Sequence, residues 1–155
     1  MSYRITGLPL APFQPLFVLD DAALAARRAV RVHAEADRGF PCRVSLVDAP
    51  EGDRLILLHH VSHDVATPFR TAYAIYVREQ AEESTAYVDT PPPVFAGRTL
   101  SLRGFDGSGM LRAARLAAPG EADAGIRALF EADEIAYIHA HNAAYGCFAA
   151  RIDRN

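Results

Sequence analysis

The apolar runs of this chain are strand-sized, the longest lying around Leu55 to Leu58, and tight turn signals separate many of them. Strands joined by tight turns pair with their near neighbours, so the sheet is expected to be mostly antiparallel. Cys42 to Asp48 and Arg54 to His60 are the clearest predicted hairpin, with Ala49-Pro50-Glu51-Gly52-Asp53 as its turn. Arg54 to His60 is apolar on both faces, as a central strand is. Further strands are expected at Tyr3 to Gly7, Val30 to Ala34, Phe69 to Arg78, Thr99 to Phe105 and Met110 to Ala117. Val61 to Pro68 reads as a loop, and Glu79 to Pro93 as an exposed excursion. Two segments read as helices. Ala22 to Ala29 follows the start signals Asp20 and Asp21, and within Glu121 to Ala132 the residues Ile126, Leu129 and Phe130 form one apolar stripe. The expected fold class is α+β: a mostly antiparallel sheet of about eight or nine strands with two helices, ending in a β-hairpin. A doubly wound fold is excluded, because strands and helices do not alternate.

Composition narrows the functional classes. A length of 155 residues is expected to form a single globular domain, residues 1–155, with a core of useful size. The formal net charge of −3 gives no electrostatic case for nucleic acid or for an acidic membrane surface. All 16 basic residues are arginines, so mechanisms that need a Schiff-base or P-loop lysine are excluded. Two cysteines, Cys42 and Cys147, are too few for a disulfide framework. With no secretory or membrane-spanning pattern, the expected location is cytoplasmic.

Chemistry-bearing residues concentrate in the last segment, Ala136 to Asp153. Read as two strands about an Ala143 to Tyr145 loop, it pairs Asn142 with Gly146, sets His141 opposite Cys147, and sets Arg151 opposite Tyr137. Ile135, Tyr137, His139 and His141 then share one face by the period of two. His139 and His141 are the candidate ligands for a divalent metal such as zinc, with Cys147 as a third and His63 or Asp64 as another; His63-Asp64 also reads as a base with an orienting carboxylate, against Asp64 as a loop cap. His141, Cys147 and His63 are the candidate catalytic residues. Metal-held water would make the site a hydrolase, and an imidazole beside a thiol would make Cys147 a nucleophile. Arg43, Arg70, Arg78, Arg103 and Arg151 fall on or beside predicted strands. With Tyr137, the arginines Arg43, Arg70 and Arg151 are the candidate ligand-binding residues, and a small anionic molecule is the expected partner.

The segments Tyr3 to Pro9, Pro41 to Leu46, Thr67 to Arg70, Ala74 to Arg78, Ser101 to Arg103, Tyr137 to Asn142 and Gly146-Cys147 together resemble an uncharacterised bacterial family known as domain of unknown function 1203. The resemblance spans nearly the whole chain. It implies a small single domain of bacterial origin with no assigned activity, and it supplies no catalytic residue. Three functions therefore stand on the residues alone: a polar or anionic ligand pocket on the His139/His141/Cys147 face, extending to a metal-dependent hydrolase; a non-enzymatic interaction module with structural histidines; and thiol chemistry at Cys147.

Overall fold

A computed structural model describes the protein from Met1 to Asn155. The chain forms β1 (Tyr3–Thr6), α1 (Gln14–Phe17), α2 (Asp21–Ala25), β2 (Ala29–His33), β3 (Arg54–His63), β4 (Thr71–Arg78), β5 (Tyr87–Val88), β6 (Leu100–Phe105), β7 (Leu111–Ala117), α3 (Ala122–Phe130), β8 (Tyr137–Asn142) and β9 (Phe148–Arg154). The nine strands make two sheets. One has six strands in the order β5-β1-β9-β8-β6-β7, and the other has three in the order β2-β3-β4. All strand pairs are antiparallel, and the chain ends in the β8-β9 hairpin. The fold class is thus α+β, as the turn-punctuated pattern predicts.

Each sheet buries one main apolar cluster. The six-stranded sheet packs Ile138, Ala140, Leu102 and Ile152 against the Ile126, Leu129 and Phe130 stripe of α3. Gly125 on α3 is needed there, since a Cβ would press on the Leu102 side chain. The three-stranded sheet packs Ile56, Leu58, Ile75 and Val77 against Phe13 and Leu24. Leu24 is held there by α2, whose start is capped by the Asp20 carboxylate accepting from the Ala23 N–H at 2.8 Å. The helix is shorter than expected. Arg28 takes φ +55, which ends the turn, and Ala29 already belongs to β2.

The predicted Cys42 to Asp48 strand is absent. The segment folds on itself, with Leu46 N–H donating to the Cys42 carbonyl at 3.1 Å and Leu46 at φ +56. Only isolated bridges, Pro41 with Asp48 and Cys42 with Tyr76, link it to strand-like pairing. Strand β3 pairs instead with β2 and β4, so it is central, but its hairpin partners differ from the expected one. The alternating apolar residues of this loop arise from burial in two different places: Cys42 and Val44 join the core of the three-stranded sheet, and Leu46 joins that of the six-stranded sheet. The loop is therefore the joint between the sheets. Its backbone is satisfied by other loops, with Leu8 N–H on the Arg43 carbonyl at 2.8 Å and Val94 N–H on that of Leu46 at 3.1 Å.

Two further expectations change. Strand β3 continues to His63 through an irregularity after Val61, so His63 ends a strand instead of lying in a loop. The Glu79 to Pro93 stretch is partly integrated: Glu79 accepts ion pairs from Arg31 at 2.7 Å and Arg54 at 3.0 Å, and β5 extends the larger sheet beside β1.

The joint makes a prediction. A Cβ at Gly7 would run into the Val44 carbonyl oxygen, a backbone atom that cannot turn aside. Gly7→Ala should lower unfolding stability by roughly 2–3 kcal/mol, measured by urea titration. A change within experimental error would contradict this close approach.

Candidate functional site

The β8-β9 hairpin presents two chemically different sides. On the first lie Tyr137, His139 and His141, sharing one face as their alternation predicts, together with Phe148. His63, from the end of β3, lays its ring 4.9 Å from that of His139 and 4.2 Å from that of Phe105. This face is covered. His139 and His141 are each 1% exposed and His63 is 4% exposed.

Hydrogen bonds fix the protons on this side. His63 Nδ1–H donates to the Phe69 carbonyl at 2.9 Å, and its Nε2 is hydrogen-bonded to the Tyr137 hydroxyl at 2.7 Å. His141 Nδ1–H donates to the Gly146 carbonyl at 2.9 Å. His139 Nδ1 is buried with no partner. Burial, reinforced by the neighbouring His63 and His141, pushes His139 down to about 3. Burial likewise pushes His141 down to about 4, against the opposing pull of the Gly146 carbonyl. Both rings are neutral at neutral pH.

The expected three-ligand array is not assembled. No group of three or more His, Cys, Asp or Glu side chains is arranged to hold a metal ion. Both ring nitrogens of His63 are already engaged, and the Asp64 carboxylate pairs with Arg70 at 2.9 Å instead of orienting an imidazole. The histidines and Tyr137 instead form an aromatic polar contact between the sheets.

The hairpin register explains why the Cys147 and His141 pair is also absent. Tyr137 pairs with Asp153 and His139 with Arg151, two residues displaced from the expected register. An irregularity between Ala140 and His141 then sets Phe148 opposite His141. Gly146, at φ +77, permits the tight return that ends in Asn142 N–H donating to the Cys147 carbonyl at 2.9 Å. Cys147 therefore turns away from the imidazoles, to the side of Asn142. Arg151 lies opposite His139, yet its guanidinium reaches back to 3.9 Å from the centre of the Tyr137 ring.

The second side is built around Arg43, which is 2% exposed. Its Nε–H donates to the Phe148 carbonyl at 2.7 Å, Nη1 to the Pro41 carbonyl, and Nη2 to the Cys147 sulfur at 3.1 Å. No carboxylate pairs with it. Burial pushes this guanidinium below its ordinary value, and the neighbouring Cys147 sulfur is the largest opposing cause. Asn142 Nδ2 donates to the same sulfur at 3.3 Å, while its Oδ1 is buried without a partner. These three side chains line a cleft of about 450 Å³, together with Arg98, Tyr73 and Tyr145. Arg98 is held by a two-point pair to Asp48, at 2.6 and 2.9 Å. None of the three histidines of the first side lines this cleft.

The candidate residues thus divide. Arg43 and Cys147 come together, whereas Arg70 is exposed beside Asp64 and joins neither side. The other candidate arginines have partners of their own, Arg78 with Asp53, Arg151 with Asp153, and Arg103 with the Ser101 hydroxyl at 3.4 Å. Sequence reasoning missed the cleft roles of Asn142, Arg98, Tyr73 and Tyr145. The one available signal was Asn142 itself, a polar residue at the end of a buried-type strand and facing opposite to His141.

The neutral histidines give a pH dependence with a definite sign. Below about pH 6.5 the unfolded chain protonates these rings, while the folded protein resists down to about 4 for His141 and about 3 for His139. The unfolded state therefore binds more protons across this window, and stability falls on acidification. The slope should approach 1.4 kcal/mol per pH unit for each histidine, on the order given by linkage. Denaturant titrations from pH 7 to pH 5 should show this loss, and His139→Phe should remove about one histidine's share. A pH-independent midpoint would contradict the burial of neutral imidazoles.

Comparison with curated proteins and with solved structures returns no match. A family model, described as protein of unknown function (DUF1203), matches residues 39–154 and so takes in both sides of the hairpin. The match spans most of the chain, and the protein belongs to this family.

Proposed function

We propose that the protein binds a small anionic molecule in the cleft beside Cys147, with Arg43 as its anchor. One observation carries this reading: a guanidinium 2% exposed, facing a cleft, with no carboxylate to balance it. A buried charge is costly unless paired. Three of the five N–H groups of Arg43 are engaged by the Phe148 and Pro41 carbonyls and the Cys147 sulfur, which leaves two for a ligand. A carboxylate or phosphate would meet them in the forked geometry guanidinium favours. Asn142 Oδ1, buried and unpartnered, is the acceptor for a donor on the same ligand. The pocket expected from the sequence is in this way moved from the imidazole side of the hairpin to the opposite side, and the histidines have a structural role.

The test is an NMR titration with acetate, benzoate and phosphate, followed at the amides of Asn142, Ala143 and Cys147. At least one anion should produce saturable shifts at these three positions. Arg43 also holds the fold together, so the variant of choice is Asn142→Asp, which supplies a carboxylate next to the guanidinium. It should fold and lose the saturable response. Absence of saturable shifts in the native protein with all three anions would refute the reading.

A further inference from the structure

Cys147 and Cys42 are in unlike places. Cys42 is fully buried in the core of the three-stranded sheet, whereas Cys147 is partly exposed and lines the cleft. Two N–H donors face the Cys147 sulfur, Arg43 Nη2 at 3.1 Å and Asn142 Nδ2 at 3.3 Å. Negative charge arising on this sulfur meets a cation and an amide dipole at once. Independently, Asn142, only 8% exposed, holds its Oδ1 buried and unpartnered on the same cleft. That atom calls for an N–H or O–H donor that the protein does not supply.

The surroundings select the chemistry. Acyl transfer and hydrolysis need a group to protonate the leaving atom or to activate water. No imidazole or carboxylate lines the cleft with Cys147: His141 is on the other side of the hairpin with Nδ1 on Gly146, and Asp48 is paired with Arg98. Thiol–disulfide exchange needs neither, because its leaving group is itself a thiolate.

We propose that Cys147 is a thiol-modification site for low-molecular-weight, peptide-like disulfides that carry a carboxylate. The proposal rests on the anion-binding reading of the cleft. In the step, the Cys147 thiolate attacks one sulfur of R–S–S–R. The Cys147–S–R bond forms as the S–S bond breaks, and the electron pair of that bond leaves on R–S⁻, which takes a proton from water. Cys147 is oxidised and one half of the disulfide is reduced; a thiol R–SH reverses the step. The two remaining N–H groups of Arg43 hold the carboxylate of R, and Asn142 Oδ1 accepts from an amide N–H of R.

The experiment uses the full chain, oxidised glutathione as the anionic peptide disulfide, and 2-hydroxyethyl disulfide as the neutral one. Adducts are located by mass spectrometry of peptides. Cys147 should gain one glutathionyl group while Cys42 gains none. The rate should saturate in oxidised glutathione, exceed that of the neutral disulfide by roughly tenfold or more, and fall when benzoate is added. Asn142→Asp removes the amide donor from the sulfur and adds a carboxylate to the cleft, so it should slow both disulfides, and oxidised glutathione the more. Equal rates with both disulfides, or adducts at both cysteines, would overturn selective modification. Saturable benzoate binding without any Cys147 adduct would overturn the thiol proposal alone, whereas loss of both binding and adduct would overturn the anion-binding reading with it.

Discussion

Arg43 is the contact on which the arrangement of the two sheets depends. Its guanidinium ties the 41–48 loop, through the Pro41 carbonyl, to the last hairpin, through the Phe148 carbonyl and the Cys147 sulfur. The neighbours of Arg43 in sequence divide between the cores, Val44 entering one and Leu46 the other. Its own backbone joins in, with N–H donating to the Tyr76 carbonyl at 3.1 Å. A buried cation in a joint of this kind is stable only while every nearby acceptor is in place. The same requirement leaves the cation facing the cleft without a balancing carboxylate.

The hairpin separates two kinds of polar burial. On the imidazole side, His63 and His141 bond to backbone carbonyls and to the Tyr137 hydroxyl, whereas His139 lies among aromatic rings with its Nδ1 unpartnered. That arrangement is suited to packing two sheets together and is poor at holding charge. On the cleft side, Arg43, Asn142 and Cys147 line open space, with the guanidinium and the amide donating to the sulfur. The irregularity between Ala140 and His141 is what divides them, because it sends Phe148 to the imidazoles and Cys147 to the guanidinium.

Much of the fold was legible in the sequence because local pattern and final environment agree. Strand β6 and the α3 stripe have the periods their burial requires, whereas β8 is buried along its whole length and β7 leaves Leu116 exposed. The Cys42 to Asp48 segment misleads for a physical reason. Its alternating apolar residues are divided between two cores by a loop with Leu46 in the left-handed region, and period alone cannot distinguish that from a strand with one buried face. The site was legible only in part. Shared orientation of His139 and His141 follows from alternation, but a two-residue register shift and a bulge are set by the Gly146 turn and by tertiary contacts. Arg43 and Cys147 were identifiable as reactive residues, yet their meeting depends on a contact 104 positions apart in sequence.

A crystal structure of the protein grown with benzoate or phosphate tests the Arg43 anion site most directly. An anion should be bonded to the free N–H groups of Arg43 and lie within hydrogen-bond reach of Asn142, with the Phe148, Pro41 and Cys147 contacts intact. A cleft empty of anion, with those N–H groups bonded to protein carbonyls or carboxylates, would contradict it.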